Sequence, residues 1–454
     1  MSDTLMVSVS GMRGLVGIDL TPERVARHAA ALGAWAAANG RPVVVLGRDA
    51  RTSGPMFARA AAAGLMSVGA RVIDVGVAPT PTVQLAVEHH HAGAGLILTA
   101  SHNPIEWNAL KFVGPDGIFL DAEAGARVRA LAEEGPPRMG WDGLGEVRQD
   151  GDAVARHLDA ILALPVIDVT AIRSRGFKVA LDCVRGAGSV AMLPLLERLG
   201  CRVSGINLEA DGRFPRPPEP VPENLGELAR LVRESGADIG FAVDPDVDRL
   251  ALVDETGRAI GEDYTLAFAV RAVLRGRSNA AAPPTVVVNL STSLVVEDAA
   301  RAEGARFLRT PVGEANVARA IREAGAVIGG EGNGGVMYPA LHIGRDAPLG
   351  VALILHLLAT TRSTVSQQVA GSPRYTIVKA KGPRGPELRP LYDRLRQRFA
   401  DAEADERDGL RLSWGDRWLH IRPSGTEPIV RLIAEAPSPA EAEALVAAGR
   451  ELLH

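Results

Sequence analysis

Over most of the chain, apolar and polar positions repeat one order. A short apolar run is followed by an amphipathic stretch, a second short run and another amphipathic stretch. A third apolar run then ends in a polar loop. Short apolar runs bounded by turn residues predict buried strands, and the stretches between them predict helices. In the first copy residues 43–47 open, 71–76 follow, and 94–99 lead into a loop at Ser101. In the second the runs are 178–182, 201–206 and 238–243, the last ending in Asp244-Pro245-Asp246-Val247-Asp248. In the third they are 285–289, 305–309 and 326–329, ending in Gly330-Glu331-Gly332-Asn333-Gly334-Gly335. Strands alternating with helices predict mixed or parallel sheets under helical cover.

The pattern changes in the last part of the chain. Residues 417–421 and 429–435 predict two strands around a loop at 422–428, and Ser438, Pro439 and Glu441 supply the N-cap, first position and third position of a helix. Gly, Pro and charge cluster at 134–152, 254–262 and 363–373, which read as linkers. The expected domains are 1–150, 151–256, 257–368 and 369–454, and the Pro-rich stretch 214–222 reads as a semi-rigid surface loop.

Composition narrows the class. A chain of 454 residues exceeds one core and suggests about three or four domains. A net charge of −4 and 4% aromatic content argue against nucleic-acid binding. The start lacks a basic segment followed by a long apolar one, and the best apolar run, 351–359, is too short to span a bilayer and is broken by His356. Cys183 and Cys201, both on predicted strands, read as buried reduced thiols. A cytoplasmic protein, monomer or homodimer, without membrane or nucleic-acid partners, is expected. Only four of the 50 basic residues are lysines, so Lys111 stands out.

The polar loops carry the candidate chemistry. Ser101 sits at the carboxyl end of a strand, where open α/β sheets place ligands, although a lone Ser there is ordinarily a turn residue. Asp244, Asp246 and Asp248 alternate after an apolar strand. Three carboxylates this close repel unless a cation lies among them, and hard oxygens suit Mg²⁺; a solvated acidic turn is the plain alternative. Arg422, Ser424, Gly425 and Thr426 offer a guanidinium, hydroxyls and glycine-permitted N–H groups, which match a phosphate dianion. Glu331 and Asn333 can bracket vicinal sugar hydroxyls, and the glycine spacing around them is wrong for a dinucleotide loop. The run His89-His90-His91 reads as a helix end, because adjacent positions do not share a helical face. Gly47-Arg48-Asp49 and Gly344-Arg345-Asp346 read as ion-paired structural turns.

Thr99-Ala100-Ser101-His102-Asn103-Pro104 resembles the phosphoserine loop of the α-D-phosphohexomutase superfamily, and with 10–14, 244–249, 330–335 and 422–428 it makes five motifs in that family's order. The resemblance covers essentially the whole chain. It implies an α/β fold: three related α/β domains with mixed or parallel sheets and a smaller C-terminal α+β domain around a central cleft. It further implies phosphoryl transfer between O6 and O1 of a hexosamine or hexose phosphate, through a phosphoserine at Ser101 and a hexose bisphosphate. Mg²⁺ would be held by that phosphoserine with Asp244, Asp246 and Asp248, while Arg13 and Arg249 steady the transferred group. Lys111 would be a proton shuttle, His102 would organise the loop, and Glu331, Asn333, Arg422, Ser424, Gly425 and Thr426 would bind substrate. The chain departs from the commoner pattern at Ser10 (Asp), Ala109 (Gly), Pro245 and Val247 (Gly), Asn333 (Ser) and Gly335 (His). The Gly-Glu-Gly-Asn-Gly-Gly form looks like a subset assigned to phosphoglucosamine mutases. Glucose or mannose phosphate is the alternative sugar, and a sugar phosphatase or a non-catalytic sugar-phosphate binder is the alternative class.

Overall fold

The computed structural model describes residues 5–8, 11–275, 282–383, 387–424 and 429–453. The apolar runs of the first copy form strands Val43–Arg48 and Ala94–Leu98, buried on both faces and paired in parallel, as strands under helical cover must be. They lie inside a seven-stranded sheet ordered Met6–Ser8, Gly11–Leu15, Trp107–Val113, Ala94–Leu98, Val43–Arg48, Arg71–Val77, Val147–Gln149. Helices Pro22–Ala38, capped by Thr21, and Gly54–Met66 cover one face. Gly64 sets their approach, since a Cβ there would fall 2.2 Å from the Ala26 carbonyl oxygen.

The next two copies make four-stranded sheets. One is ordered Leu250–Asp254, Ile239–Val243, Lys178–Asp182, Arg202–Ile206; the other Arg306–Thr310, Thr285–Asn289, Ile328–Glu331, Gly335–Met337. All three copies place their polar loop at one topological position. An interior strand that pairs in parallel on one side turns back as an antiparallel neighbour on the other. The second and third copies also share one hydrophobic core, around the almost wholly buried helix Ala347–Thr361 and helix Asp263–Leu274. The C-terminal unit is a five-stranded antiparallel sheet, Thr376–Pro383, Ile429–Ala436, Trp418–Pro423, Leu410–Ser413, Glu403–Asp405. Against it packs helix Pro439–Glu451, whose Ser438 and Glu441 form the expected capping box.

Two expected linkers are structured. Residues 134–152 include strand Val147–Gln149, paired in parallel with Arg71–Val77, and the Met139 and Gly145 N–H groups donate to Ser67 and Met66 carbonyls. All three residues of the strand are exposed, so it lacks the alternation that reveals strands in sequence. Residues 363–373 contain helix Val365–Ala370, with a Thr364–Gln367 capping box, held by Arg271 donors to Gln368 and Ser372. Helix Thr80–His89 does end in the histidine run, where His90 meets Asp150 at 2.8 Å. Both cysteines are free thiols, but each lies one residue outside its strand and only Cys183 is fully buried; partial burial still pushes the Cys201 thiol up to about 12. Among the described residues no helix is long and apolar enough to cross a membrane.

Candidate active site

Strand Ala94–Leu98 delivers Ser101 with φ at +48°, a left-handed conformation that costs a non-glycine residue about 1–2 kcal/mol. The elbow is held from beneath. The Ser101 N–H donates to Thr99 Oγ1 at 2.9 Å, and that hydroxyl donates to Asp49 Oδ2 at 2.7 Å. Arg51, wholly buried, spends all five of its N–H groups on this loop. Nε pairs with Asp49 at 3.0 Å, and the rest donate to the carbonyls of Ser101 (2.6 Å), Asn103 (2.7 Å), Pro104 (2.6 Å) and Trp107 (3.0 Å). The ion pair of this turn is thus Asp49–Arg51. Arg48 reaches only the Asp49 backbone carbonyl, a correction to the expected Arg48–Asp49 turn.

Ser101 Oγ donates to Asp244 Oδ2 at 2.8 Å, across from the first unit to the second. Asp244, Asp246 and Asp248 are completely buried, their oxygens within 4.8 Å of one another. Burial, with Asp246 and Asp248 alongside, holds the Asp244 carboxyl well above the usual carboxylate range. Burial acts on Asp246 in the same direction, but Lys111 and hydrogen-bond donors outweigh it and hold Asp246 low. Lys111 Nζ lies 2.7 Å from Asp246 Oδ2 and 3.7 Å from Asp248 Oδ2, and the Thr80 hydroxyl donates to Asp246 Oδ2 at 2.8 Å. Asp246 Oδ1 and Asp248 Oδ1 are buried without a hydrogen-bond partner, Arg249 Nε standing 3.8 Å from the latter. Unpartnered carboxylate oxygens in a closed ring are the donor set a hard divalent cation requires, so these residues fit Mg²⁺. Val247, where glycine is the commoner choice, sits at φ +63°, and its side chain is buried in the shared core, which offsets the strain.

Arg13, Ser101, His102, Lys111 and Arg249 line one cavity of about 620 Å³. Arg13 donates to the Asn103 side chain, while Ser10 lies outside the described residues. His102 Nδ1 is 3.4 Å from Ser101 Oγ; Arg249, burial and Arg13 push its imidazole well below the usual range, so it is neutral. Burial would lower Lys111, but Asp246 and Asp248 prevail and keep it an ammonium. Arg249 donates to Glu219 Oε1 at 2.8 Å, which brings the Pro-rich loop into the site rather than leaving it a surface spacer.

An adjoining cavity of about 1200 Å³ shares Arg13, His102 and Arg249, and is lined further by Glu331, Asn333, Lys379, Lys381, Arg422 and Arg431. Three of the four lysines therefore face the cleft. The glycine-rich motif is a tight hairpin, with Glu331 ending strand Ile328–Glu331 and Gly335 opening strand Gly335–Met337. Glu331 accepts from Asn289 Nδ2 (2.9 Å), Gly313 N–H (3.2 Å), Arg345 (3.1 Å) and Asn333 (3.4 Å). Arg345, expected to be a structural turn, instead reaches into the site and bridges Asp248 at 2.6 Å, Glu314 at 3.0 Å and Glu331. A Cβ on Gly335 would stand 2.3 Å from Arg345 Cδ, so glycine there makes room for the bridge. Arg422 Nε pairs with Asp408 at 2.9 Å, and Ser424 is buried, its N–H donating to the Ile429 carbonyl. Gly425 and Thr426 lie outside the described residues. Sequence reasoning misses Arg51, Glu219, Lys379 and Lys381 and gives Arg345 only a structural role; the scarcity of lysine is the one signal pointing to Lys379 and Lys381.

Each quarter of the chain matches one family description. Residues 5–138, 155–257 and 261–375 match the phosphoglucomutase/phosphomannomutase alpha/beta/alpha domains I, II and III, and 380–452 the C-terminal domain. A phosphoglucomutase/phosphomannomutase of Thermococcus kodakarensis is 38% identical over 98% of this chain and 97% of its own length. A probable phosphoglucosamine mutase of Methanopyrus kandleri is also 38% identical, over 96% and 95%. The crystal structure of a phosphoglucomutase/phosphomannomutase family protein from Burkholderia thailandensis superposes with a TM-score of 0.86 at 26% identity, covering 100% of this chain and 97% of that one. With the four domains in order and full-length relatives at this identity, the chain belongs to the phosphoglucomutase/phosphomannomutase family of the α-D-phosphohexomutase superfamily, whose members are isomerases of the mutase type.

Proposed function

We propose that this phosphohexomutase interconverts glucosamine 6-phosphate and glucosamine 1-phosphate through a phosphoryl group carried on Ser101 Oγ, with a sugar bisphosphate as intermediate. The carrying observation is the juxtaposition of Ser101 Oγ, on its left-handed elbow, with Asp244 2.8 Å away on another unit. A sugar hydroxyl oxygen attacks phosphorus and gives up its proton, the bond to Ser101 Oγ breaks and Oγ takes up a proton, and the bisphosphate turns over before its other phosphoryl group returns to Ser101. Neutral His102, its Nδ1 3.4 Å from Ser101 Oγ, can relay that proton. The resemblance gives that role to Lys111, but its two Asp neighbours hold it as an ammonium, and it serves here as a cation. Lys111, Arg13 and Arg249 neutralise the transferred group, which is how phosphoryl transfer is accelerated. Mg²⁺ held by Asp244, Asp246 and Asp248 would supply charge neutralisation at the phosphoryl oxygens.

The amino-sugar choice rests on the Gly-Glu-Gly-Asn-Gly-Gly form of the hairpin. It does not rest on the charge of the larger cavity, where Arg13, Arg249, Lys379, Lys381, Arg422, Arg431 and Arg450 outnumber Glu219, Asp263 and Glu331 and suit phosphate groups rather than a sugar ammonium. The curated relatives at 38% identity carry both substrate names, so glucose or mannose phosphate is the second reading. Comparing kcat/KM for glucosamine, glucose and mannose phosphates decides between them. A glucose or mannose advantage above about tenfold, roughly 1.4 kcal/mol in the transition state, reverses the choice. Intact mass after treatment with a sugar bisphosphate should gain one phosphate at Ser101, and full turnover by Ser101→Ala would refute the covalent route.

A further inference from the structure

A second cluster of metal-binding side chains lies buried where the three α/β units meet, and none of its members lines either cavity. His157 comes from helix Ala153–Leu162; His342 and Asp346 come from the segment leading into helix Ala347–Thr361. Both imidazoles aim at one oxygen. His157 Nε2 lies 2.8 Å and His342 Nε2 3.0 Å from Asp346 Oδ2, and the three donor atoms fall within 4.8 Å of one another. Asp346 Oδ1 is occupied separately, accepting the Leu349 N–H at 2.9 Å as a helix cap.

Hydrogen bonding alone leaves the cluster unfinished. If both Nε2 atoms carry protons for Asp346, each Nδ1 needs a donor. The Thr82 hydroxyl, 2.8 Å away, can serve His157, but His342 Nδ1 is buried without a partner. Gln84, wholly buried on helix Thr80–His89, also has neither amide atom bonded. It lies against the same ring, for a Cβ on Gly344 would fall 2.4 Å from Gln84 Oε1 and 2.8 Å from His342 Cε1. Buried polar groups left like this call for an unseen partner.

We propose that His157, His342 and Asp346 hold a divalent cation of the zinc class, with water in the fourth position, that ties the three units together. Two imidazole nitrogens and a carboxylate oxygen suit Zn²⁺ better than Mg²⁺. Ligation moves each imidazole proton to Nδ1. There Thr82 Oγ1 accepts from His157 and Gln84 Oε1 stands beside His342, the outer-shell arrangement that metal-bound histidines need. Tetrahedral ligation at about 2.0–2.1 Å separates donors by roughly 3.3 Å, so the two histidine–Asp346 pairs, at 2.8 and 3.0 Å, have to open by only a few tenths of an ångström.

The test is to strip the full-length chain with a chelator and titrate it with Co²⁺ alone. One equivalent should show the strong visible absorption of four-coordinate cobalt with nitrogen ligands, distinct from the weak bands of a six-coordinate ion in the aspartate loop. The strong band should persist in Asp246→Asn and be lost in His342→Gln. Zn²⁺ should raise the unfolding temperature of the stripped wild-type chain by several degrees. Absence of the strong band in the wild-type chain overturns the proposal, as does a band of equal strength in His342→Gln.

Discussion

Replacing Arg51 by Lys keeps a buried positive charge beside Asp49 but offers three N–H donors where the native side chain uses five. At least two of the acceptors Asp49, Ser101 O, Asn103 O, Pro104 O and Trp107 O then lose their partner. At about 1–3 kcal/mol for each buried acceptor left unmade, the variant forfeits roughly 2–6 kcal/mol unless the loop moves. The loop has a reason to move, because Ser101 stands at φ +48°. Release to negative φ recovers about 1–2 kcal/mol of strain, which leaves the reactive elbow in one molecule in roughly 5–30. Arg51→Lys is therefore expected to lower kcat about 5- to 30-fold and to slow phosphorylation of Ser101 by a sugar bisphosphate equally. KM should hold near its native value, since Lys379, Lys381 and Arg422, which line the larger cavity, are untouched. Steady-state kinetics with time-resolved intact mass would measure both. Native kcat together with native phosphorylation kinetics would show that Arg51 only stabilises the fold and does not set the elbow.

Chelation should abolish turnover and Mg²⁺ restore it, and Asp246→Asn should lower kcat by roughly 10²–10³, measured at saturating Mg²⁺. Arg422→Ala should raise KM about tenfold and lower kcat with it, because remote phosphate binding also orients the reacting hydroxyl; an unchanged KM would remove Arg422 as the phosphate anchor. Burial pushes the His420 imidazole down to about 4, while it contacts the Ser291 hydroxyl at 2.9 Å and the Asp408 carbonyl at 2.7 Å, where the C-terminal unit meets the third. A base whose folded value is depressed binds more protons when unfolded, so stability falls as pH drops below about 6.5. Between pH 7 and pH 5 the wild type should lose about 2 kcal/mol more than His420→Asn in urea unfolding.

The strands and their loops were legible because burial on both faces leaves continuous apolar runs, and Asp244, Asp246 and Asp248 follow one directly. The helix at Pro439–Glu451 was legible because its cap is local, Ser438 and Glu441 lying three residues apart. The parts missed depend on long-range partners. Arg51 acts on a residue 50 positions away and Arg345 on one 97 away, and each looks in sequence like an ordinary charge in a turn. Glu219 hides for the same reason, its partner Arg249 lying 30 residues on, beyond a Pro-rich stretch with no periodicity. The edge strand Val147–Gln149 is exposed at all three residues, so no hydrophobic pattern marks it.

The bridge from Arg345 to Asp248, Glu314 and Glu331 constrains how this enzyme could be re-engineered or could diverge. The hairpin that lines the larger cavity looks like a separable cassette, yet its Gly335 is the space in which Arg345 lies. Grafting a hairpin that carries any side chain at position 335 would displace the guanidinium, and Asp248 of the second unit would lose its shortest ion pair, keeping Lys111 at 3.7 Å and Arg249 at 3.8 Å. A change of sugar preference then comes with a penalty in the phosphoryl-transfer machinery unless position 345 changes in the same step. The two positions form an epistatic pair, and a selection that varies the hairpin alone would discard the productive combinations.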